Sequence, residues 1–259
     1  MDYKLIKFEI KESVAKIILN RPDVLNSFNR AMSMELHHAL DYCVLEKTIR
    51  ALFLSGEGRA FCAGQDLEEA ISPDSKIETI VRETYNPTIM KIRTIEKPVV
   101  CAVNGVAAGA GANIAFACDI TVAGERASFI QSFANIGLIP DSGGTYFLPR
   151  LAGFQRASAL TMLGEKISAQ QACDYGLIWK VFKDDAMVGE AFSIAKKLAS
   201  MPTKGIGLTK RLLNQGLLNN LESQLSMEEK LQKEAGNSLD YKEGVNAFLE
   251  KRKPVFKGE

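Results

Sequence analysis

The chain has 259 residues, 46% hydrophobic and 24% charged, a balance that supports a self-sufficient core without disulfides or metals. Lys plus Arg number 32 against 31 Asp plus Glu, for a net charge of +1, so no cationic excess exists to release counterions from nucleic acid or to coat an anionic membrane. Two adjacent histidines, His37 and His38, and five scattered cysteines without a CxxC pair leave almost nothing for a His-based triad, a multi-His metal site or a zinc framework.

In chain order, residues 5–10 and 14–19 alternate apolar and polar side chains and predict a hairpin turning near Glu12 and Ser13. Asn20-Arg21-Pro22-Asp23 ends it, because proline fixes its own φ and restricts the residue before it. Met32, Leu36, Leu40, Cys43 and Val44 recur at helical spacing and predict a helix over about 29–47. A short apolar run at 51–54 predicts a strand, followed by a Gly-punctuated loop at 56–64 and a helical stretch to about 96. Residues 98–103 read as a second buried strand, leading through Asn104-Gly105 into a small-residue segment, and 120–123 as a third. This alternation predicts an α/β architecture of parallel strands covered by helices. Beyond about Ser168 the strand signal almost vanishes. From Met187 to Arg252 the pattern is helical, with Leu208, Leu212, Leu213, Leu217, Leu221 and Leu225 as apolar anchors of a tail that either folds back on its own body or clasps a neighbouring subunit. Neither end resembles a sorting signal and no apolar run approaches the ~18 residues of a membrane span. The expectation is a soluble cytoplasmic protein.

Three Gly-punctuated loops follow predicted strands, the position where open α/β sheets gather their ligands. The first runs from Gly58 to Leu67. There Gly64 allows close approach of a ligand and the Gln65 N–H is free to face it, or else the glycines are turn residues and Asp66 serves the next helix. The second, Asn104 to Asn113, has neither the GK[ST] of a phosphate-binding loop nor the third glycine of a dinucleotide fingerprint. What remains is a strand entering a helix whose first turn is small and whose N–H groups are unpaired, suited either to an oxygen acquiring negative charge or to close helix–sheet packing. The third, Gly137 to Thr145, brings Asp141 out of an apolar approach. Asp141 is either the N-cap of the next helix or a carboxylate in an apolar pocket whose pKa is raised toward the range useful for proton transfer.

Taken together, the loops carry Asn20-Arg21-Pro22 with Leu25-Asn26-Ser27, Phe61-Cys62-Ala63-Gly64-Gln65-Asp66-Leu67, Ala117-Cys118-Asp119-Ile120 and Gly143-Gly144-Thr145, and the chain closes on Phe248-Leu249-Glu250-Lys251-Arg252-Lys253-Pro254-Val255-Phe256. In this order they resemble the crotonase superfamily, the enoyl-CoA hydratase/isomerase proteins, over nearly the whole chain. The resemblance implies a spiral core of ββα units over 1–195 and a helical oligomerisation region over 196–259 that builds trimers, often paired into hexamers. It also implies an acyl-CoA thioester as the bound partner, with coenzyme A part of the substrate, no separate cofactor and no metal. By motif position, the backbone N–H groups of Gln65 and Ala110 would form the oxyanion hole. Val24, Leu25, Ala63, Asp66 and Leu67 would line the coenzyme A site, and Phe256 and Lys257 would reach a neighbour's coenzyme A.

Hydratases of the family use two glutamates where this chain has Asn113 and Phe133. Neither side chain moves a proton as a carboxylate does. Asp141 instead sits where certain isomerases and dehalogenases of the family carry a catalytic aspartate, and its surroundings are similar to isomerases acting on ring-epoxide or unsaturated acyl-CoAs. The expectation is therefore an acyl-CoA isomerase with Asp141 as its acid/base. An enoyl-CoA hydratase, or a non-catalytic trimer binding coenzyme A or RNA, stands as the alternative.

Overall fold

The computed structural model describes residues 2–73 and 75–259. Strands β1 (Ile6–Lys11) and β2 (Val14–Leu19) form the expected antiparallel hairpin. Its turn residues Glu12 and Ser13 have φ of 52° and 61°, both in the left-handed region that lets a two-residue turn match the strands' twist. Helix α1 (Arg30–Leu45) follows, capped by Asn29, whose side chain accepts the Met32 N–H.

Three times thereafter a long strand is followed by a three-residue strand and then by helix. The first unit is β3 (Ala51–Gly56), β4 (Ala60–Cys62), α2 (Leu67–Ala70), α3 (Ile77–Ile80) and, after a π-helical turn at Val81–Tyr85, α4 (Asn86–Thr94). The second is β5 (Val99–Val103), β6 (Val106–Ala108) and α5 (Ala110–Ala117). The third is β7 (Ile120–Gly124), β8 (Ser128–Ile130), α6 (Gly144–Ala152) and α7 (Phe154–Leu163). Next come β9 (Lys166–Ser168), α8 (Ala169–Asp174), β10 (Lys180–Phe182) and α9 (Asp184–Ala199). The chain then runs through α10 (Thr203–Gly216), α11 (Leu221–Gly236) and α12 (Leu239–Leu249).

The long strands, with the three-residue β10 at the edge, form one sheet in the order β1-β2-β3-β5-β7-β10, parallel from β2 onward, and the other short ones a second sheet in the order β4-β6-β8-β9. Each unit thus advances one strand in both sheets, which is the spiral of ββα units. Alternate residues of the parallel strands serve two cores. Val99, Cys101 and Val103 join the main core, while Val100 and Ala102 meet Ala191, Ala195 and Ala199 of α9 on the other face. Burial on both faces is why these strands read as unbroken apolar runs.

The expected boundary after residue 195 falls inside α9, which packs on the sheet as a unit. The helices that leave the sheet begin at Thr203. Of the leucines expected as anchors there, Leu208 is buried, but Leu213, Leu217, Leu221 and Leu225 are exposed. Their periodicity correctly marked helices, yet these four leucines stay exposed among the described residues. Among the described residues, no helix is long and apolar enough to cross a membrane.

The C-terminal tail is tied to its own chain. Asp240, buried in α12, accepts the N–H of Lys257 at 2.6 Å and of Gly258 at 2.7 Å, while Arg50 donates to the Phe256 carbonyl at 2.7 Å. Asp240→Ala should therefore cost about 2–3 kcal/mol, because two N–H groups lose a charged acceptor. Hydrogen exchange is the check. The Lys257 and Gly258 amides should lose protection while those of β5 keep theirs.

Candidate active site

The site is built around the N-terminal end of α5. Gly109, with φ of 51°, donates its N–H to the Ile130 carbonyl at 2.9 Å and turns the chain from β6 into the helix. Ala110, Gly111 and Ala112 fill the first helical turn, and all three are buried. The first N–H groups of a helix have no partner within it and carry its positive end. Ala110 is the first residue of that turn.

Gln65 reaches the same place from β4. The Phe28 N–H donates to the Gly64 carbonyl at 2.6 Å and the Asp66 N–H to the Phe28 carbonyl at 2.9 Å, a parallel bridge centred on Gln65. In such a bridge the middle residue's own N–H points away from the partner strand. Gly64, at φ of 93°, lies so close to the second turn that a Cβ there would sit 2.9 Å from the Ala108 carbonyl oxygen and 3.8 Å from the Ala110 nitrogen. Gly64→Ala should therefore push the two turns apart. We expect a turnover loss of about 10²-fold with the fold retained, measured as kcat against thioester affinity. Wild-type kcat in that variant would show that the contact is not needed.

Asp141 is not a helix cap. The N-cap of α6 is Gly143, and Asp141 stands two residues before it, partly buried. Ser142 and Gly143 have φ of 50° and 75°, consecutive left-handed residues that set the carboxyl apart from the helix. The Asp141 carbonyl accepts Asn113 Nδ2 at 2.9 Å and the Gly144 N–H at 2.8 Å, and its Oδ1 accepts the Ser142 hydroxyl at 2.9 Å. Burial raises its pKa from 3.8 to about 6, against the opposing pull of the Ser142 hydrogen bond.

Tyr85 packs behind Gln65. Its hydroxyl donates to Gln65 Oε1 at 2.6 Å and its ring stacks on Phe28. Burial, and next the charge of Asp141, raise its pKa well above 10.0. No sequence signal marked this residue. The π-helical turn ending at Tyr85 displaces the helical register, so periodicity alone does not aim it inward.

The remaining expected residues divide into two groups. Leu25 and Asn26 both have positive φ, and buried Asn26 holds that turn by donating to the carbonyls of Glu57 at 2.9 Å and Ala60 at 2.8 Å. The Ala63 N–H donates to the Leu25 carbonyl at 3.0 Å, so Val24 and Leu25 run beside Ala63, with Val24 and Leu67 exposed. The Asp66 side chain is engaged within the chain. It caps α2 through the N–H groups of Glu68 and Glu69 and pairs with Arg21 at 2.7 Å. Burial alone would raise its pKa, but Arg21 and the two N–H donors outweigh burial and lower it.

Phe256 and Lys257 do not join this set. Arg50, just before β3, donates to the Phe256 carbonyl and the Lys257 N–H donates to Asp240 of α12, so both residues are held by contacts of the tail with its own chain.

At the two positions where hydratases of the family use glutamate, the structure places a fully buried Asn113 bonded to the Asp141 loop and a Phe133 ring over Gly109. Neither is ionisable. His37 is a core residue, its Nε2 lying 2.8 Å from Thr88 Oγ1 and 3.1 Å from the Thr84 carbonyl.

A spiral of ββα units, each adding one strand to both sheets, defines a class, and the chain belongs to it: it is a member of the enoyl-CoA hydratase/isomerase family, whose model matches residues 9–259. Among similar proteins is the 1,2-epoxyphenylacetyl-CoA isomerase of Escherichia coli (strain K12), 45% identical over 99% of this chain and 99% of that protein. A probable enoyl-CoA hydratase of Rhodobacter capsulatus is also 45% identical, over the full length of both. A solved structure of a putative enoyl-CoA hydratase/isomerase from Mycobacterium abscessus superposes with a TM-score of 0.93, at 37% identity, covering 98% of this chain and 100% of that one.

Proposed function

We propose that the chain is an acyl-CoA isomerase in which Asp141 moves a proton while the N–H groups of Gln65 and Ala110 hold the thioester oxygen. For an enoyl-CoA, the carboxylate takes a proton from the carbon beside the thioester, and the electron pair passes to the carbonyl oxygen as a conjugated enolate. Protonated Asp141 then returns the proton to the far end of that enolate, so no atom is gained or lost. Two N–H donors meeting the oxygen in a water-poor site lower the barrier most where charge develops. For a ring epoxide, the same carboxyl would assist the rearrangement.

The observation that carries this reading is Asp141, a carboxyl held near pKa 6 by burial and tied to the helix that presents Ala110. Uncharged Asn113 and Phe133 support it, because water addition by two carboxylates has no pair to use. The hydratase reading draws on the equally similar Rhodobacter capsulatus relative. In the proposed complex, coenzyme A lies along Val24, Leu25, Ala63, Asp66 and Leu67. Phe256 and Lys257 of a second copy close over it, in a homotrimer or dimer of trimers that covers the exposed leucines and Phe248.

Incubation with a 3-enoyl-CoA, a 2-enoyl-CoA and the ring epoxide, followed by mass and absorbance, tests the proposal. A product of unchanged mass with altered absorbance supports isomerisation. Gain of one water supports the hydratase, and no change in any thioester overturns both.

A further inference from the structure

Asn113 occupies a position where the family's hydratases hold a proton-moving carboxylate, and the proton-transfer reading assigns it no chemistry. Its contacts nevertheless reach the site. The Asn113 N–H donates to the Gly109 carbonyl at 3.1 Å, so the residue lies in the first turn of α5, three places after Ala110 and on the same face. Its side-chain Nδ2 donates to the Asp141 carbonyl at 2.9 Å and its Oδ1 accepts Gln131 Nε2 at 2.8 Å. One side chain thus fixes the helix that presents Ala110 relative to the loop that presents Asp141.

The direction of this amide chain is forced. A peptide carbonyl only accepts, so the Asn113 group facing Asp141 must be its NH₂, and the Gln131 group facing Asn113 Oδ1 must in turn be NH₂. The chain ends on Gln131 Oε1, which is the one buried side-chain N or O atom without a hydrogen-bond partner among the described residues. An apolar side chain at 131 would remove that bare acceptor but leave the buried Asn113 Oδ1 without its donor, so the unpaired Gln131 oxygen accompanies an amide whose NH₂ completes the hydrogen bonding of Asn113. The packing leaves no slack around it. A Cβ at Gly144 would lie 2.4 Å from Asn113 Nδ2. The loop held in this way contains Ser142, a non-glycine residue at φ of 50°, a conformation that persists only where its surroundings impose it.

We propose that Asn113, clamped by Gln131, is a positioning residue that holds the Asp141 peptide and so sets where the Asp141 carboxylate points relative to the Ala110 N–H. The inference rests on the isomerase reading for its rate consequence, but the contact between Asn113 and the loop does not.

The test compares Asn113→Ala and Gln131→Met with wild type and Asp141→Asn, using 3-hexenoyl-CoA. Asn113→Ala should lower kcat by about 10–100-fold, with KM changed no more than about two-fold, since a misplaced group loses rate before it loses affinity. Gln131→Met, which leaves Asn113 Oδ1 without its donor, should lower kcat in the same direction by about 3–10-fold. In both variants the Asp141 carboxyl, followed by infrared difference titration against Asp141→Asn, should titrate at a displaced pH. That readout needs no substrate, and a purely structural role would leave it in place. Folded Asn113→Ala with wild-type kcat and a wild-type Asp141 titration overturns the proposal. If that variant does not fold, the same two results in Gln131→Met overturn it. Failure of the isomerase reading shows separately, as an Asp141→Asn variant that retains the wild-type rate.

Discussion

Replacing Asp141 by asparagine is expected to lower isomerase turnover by about 10²–10⁴-fold while leaving the fold and thioester binding intact. Asparagine keeps the size of the side chain and can still accept the Ser142 hydroxyl, so what it removes is the exchangeable proton. Two pH effects accompany this loss. The reaction begins from the carboxylate, so the wild-type rate should rise with pH through about 6 and level off above it. Stability runs the other way. The folded pKa lies above the ordinary 3.8, so between 3.8 and about 6 the native state binds more protons than the unfolded chain and stability falls as pH rises. At about 1.4 kcal/mol per tenfold, the ceiling of this penalty is about 3 kcal/mol. Partial exposure of the carboxyl brings the expected value to about 1–2 kcal/mol. Asp141→Asn should therefore be the more stable protein at pH 8 and lose that advantage below about pH 4. Equal melting temperatures at pH 8 would show that the carboxyl is not desolvated.

Asp119→Ala is expected to cost about 3–5 kcal/mol, roughly 6–20 °C in Tm for a chain of this size, because it leaves a buried ammonium without its counter-charge. Lys210 of α10 reaches into the body, where its Nζ meets Asp119 Oδ2 at 2.7 Å and the carbonyls of Ile92 at 2.7 Å and Lys97 at 3.2 Å. Its side chain is 6% exposed. Asp119 also accepts the Val99 N–H at 2.8 Å and faces Arg93 at 3.4 Å, so one carboxylate ties α10, α4 and β5 together. Burial lowers the Lys210 pKa and Asp119 partly restores it. With Asp119 gone the lysine is pushed down further, and the deficit should shrink as pH rises toward its titration, since a neutral amine needs no counter-ion. Denaturant unfolding of Asp119→Ala at pH 7 and pH 9.5 reads both effects. A loss below about 1 kcal/mol at pH 7 would mean that the pair behaves as a solvated surface bridge.

Asp119 also shows what the sequence could not convey. Ala117-Cys118-Asp119-Ile120 carried part of the family resemblance, but the reason for the aspartate lies 91 positions away at Lys210, beyond any local pattern. The long strands and helices were legible because burial on both faces or on one face leaves a period, as at 51–54, 98–103 and 29–47. The strands β4, β6, β8, β9 and β10 were not, since three residues are too few to show alternation. Gly64 was read as room for a ligand or as a turn residue, whereas the structure sets it against the Ala108 backbone, a reason that no local pattern displays. Motif position alone could not separate Asp66, which caps a helix, from Asp141, which does not. That distinction needed burial and hydrogen-bond partners. Tyr85 and the amide pair of Asn113 and Gln131 escaped altogether, because each acts across elements distant in the chain.

The central claim is that a thioester oxygen sits between the N–H groups of Gln65 and Ala110, with the Asp141 carboxylate beside the acyl carbon that exchanges its proton. A crystal structure of Asp141→Asn with bound 3-hexenoyl-CoA measures this directly. The thioester oxygen should lie about 2.7–3.1 Å from both nitrogens, with the residue-141 side chain against the acyl carbon next to the thioester. A thioester oxygen bound away from those two nitrogens, or a residue-141 side chain separated from the acyl chain by Phe133 or Tyr85, would contradict it.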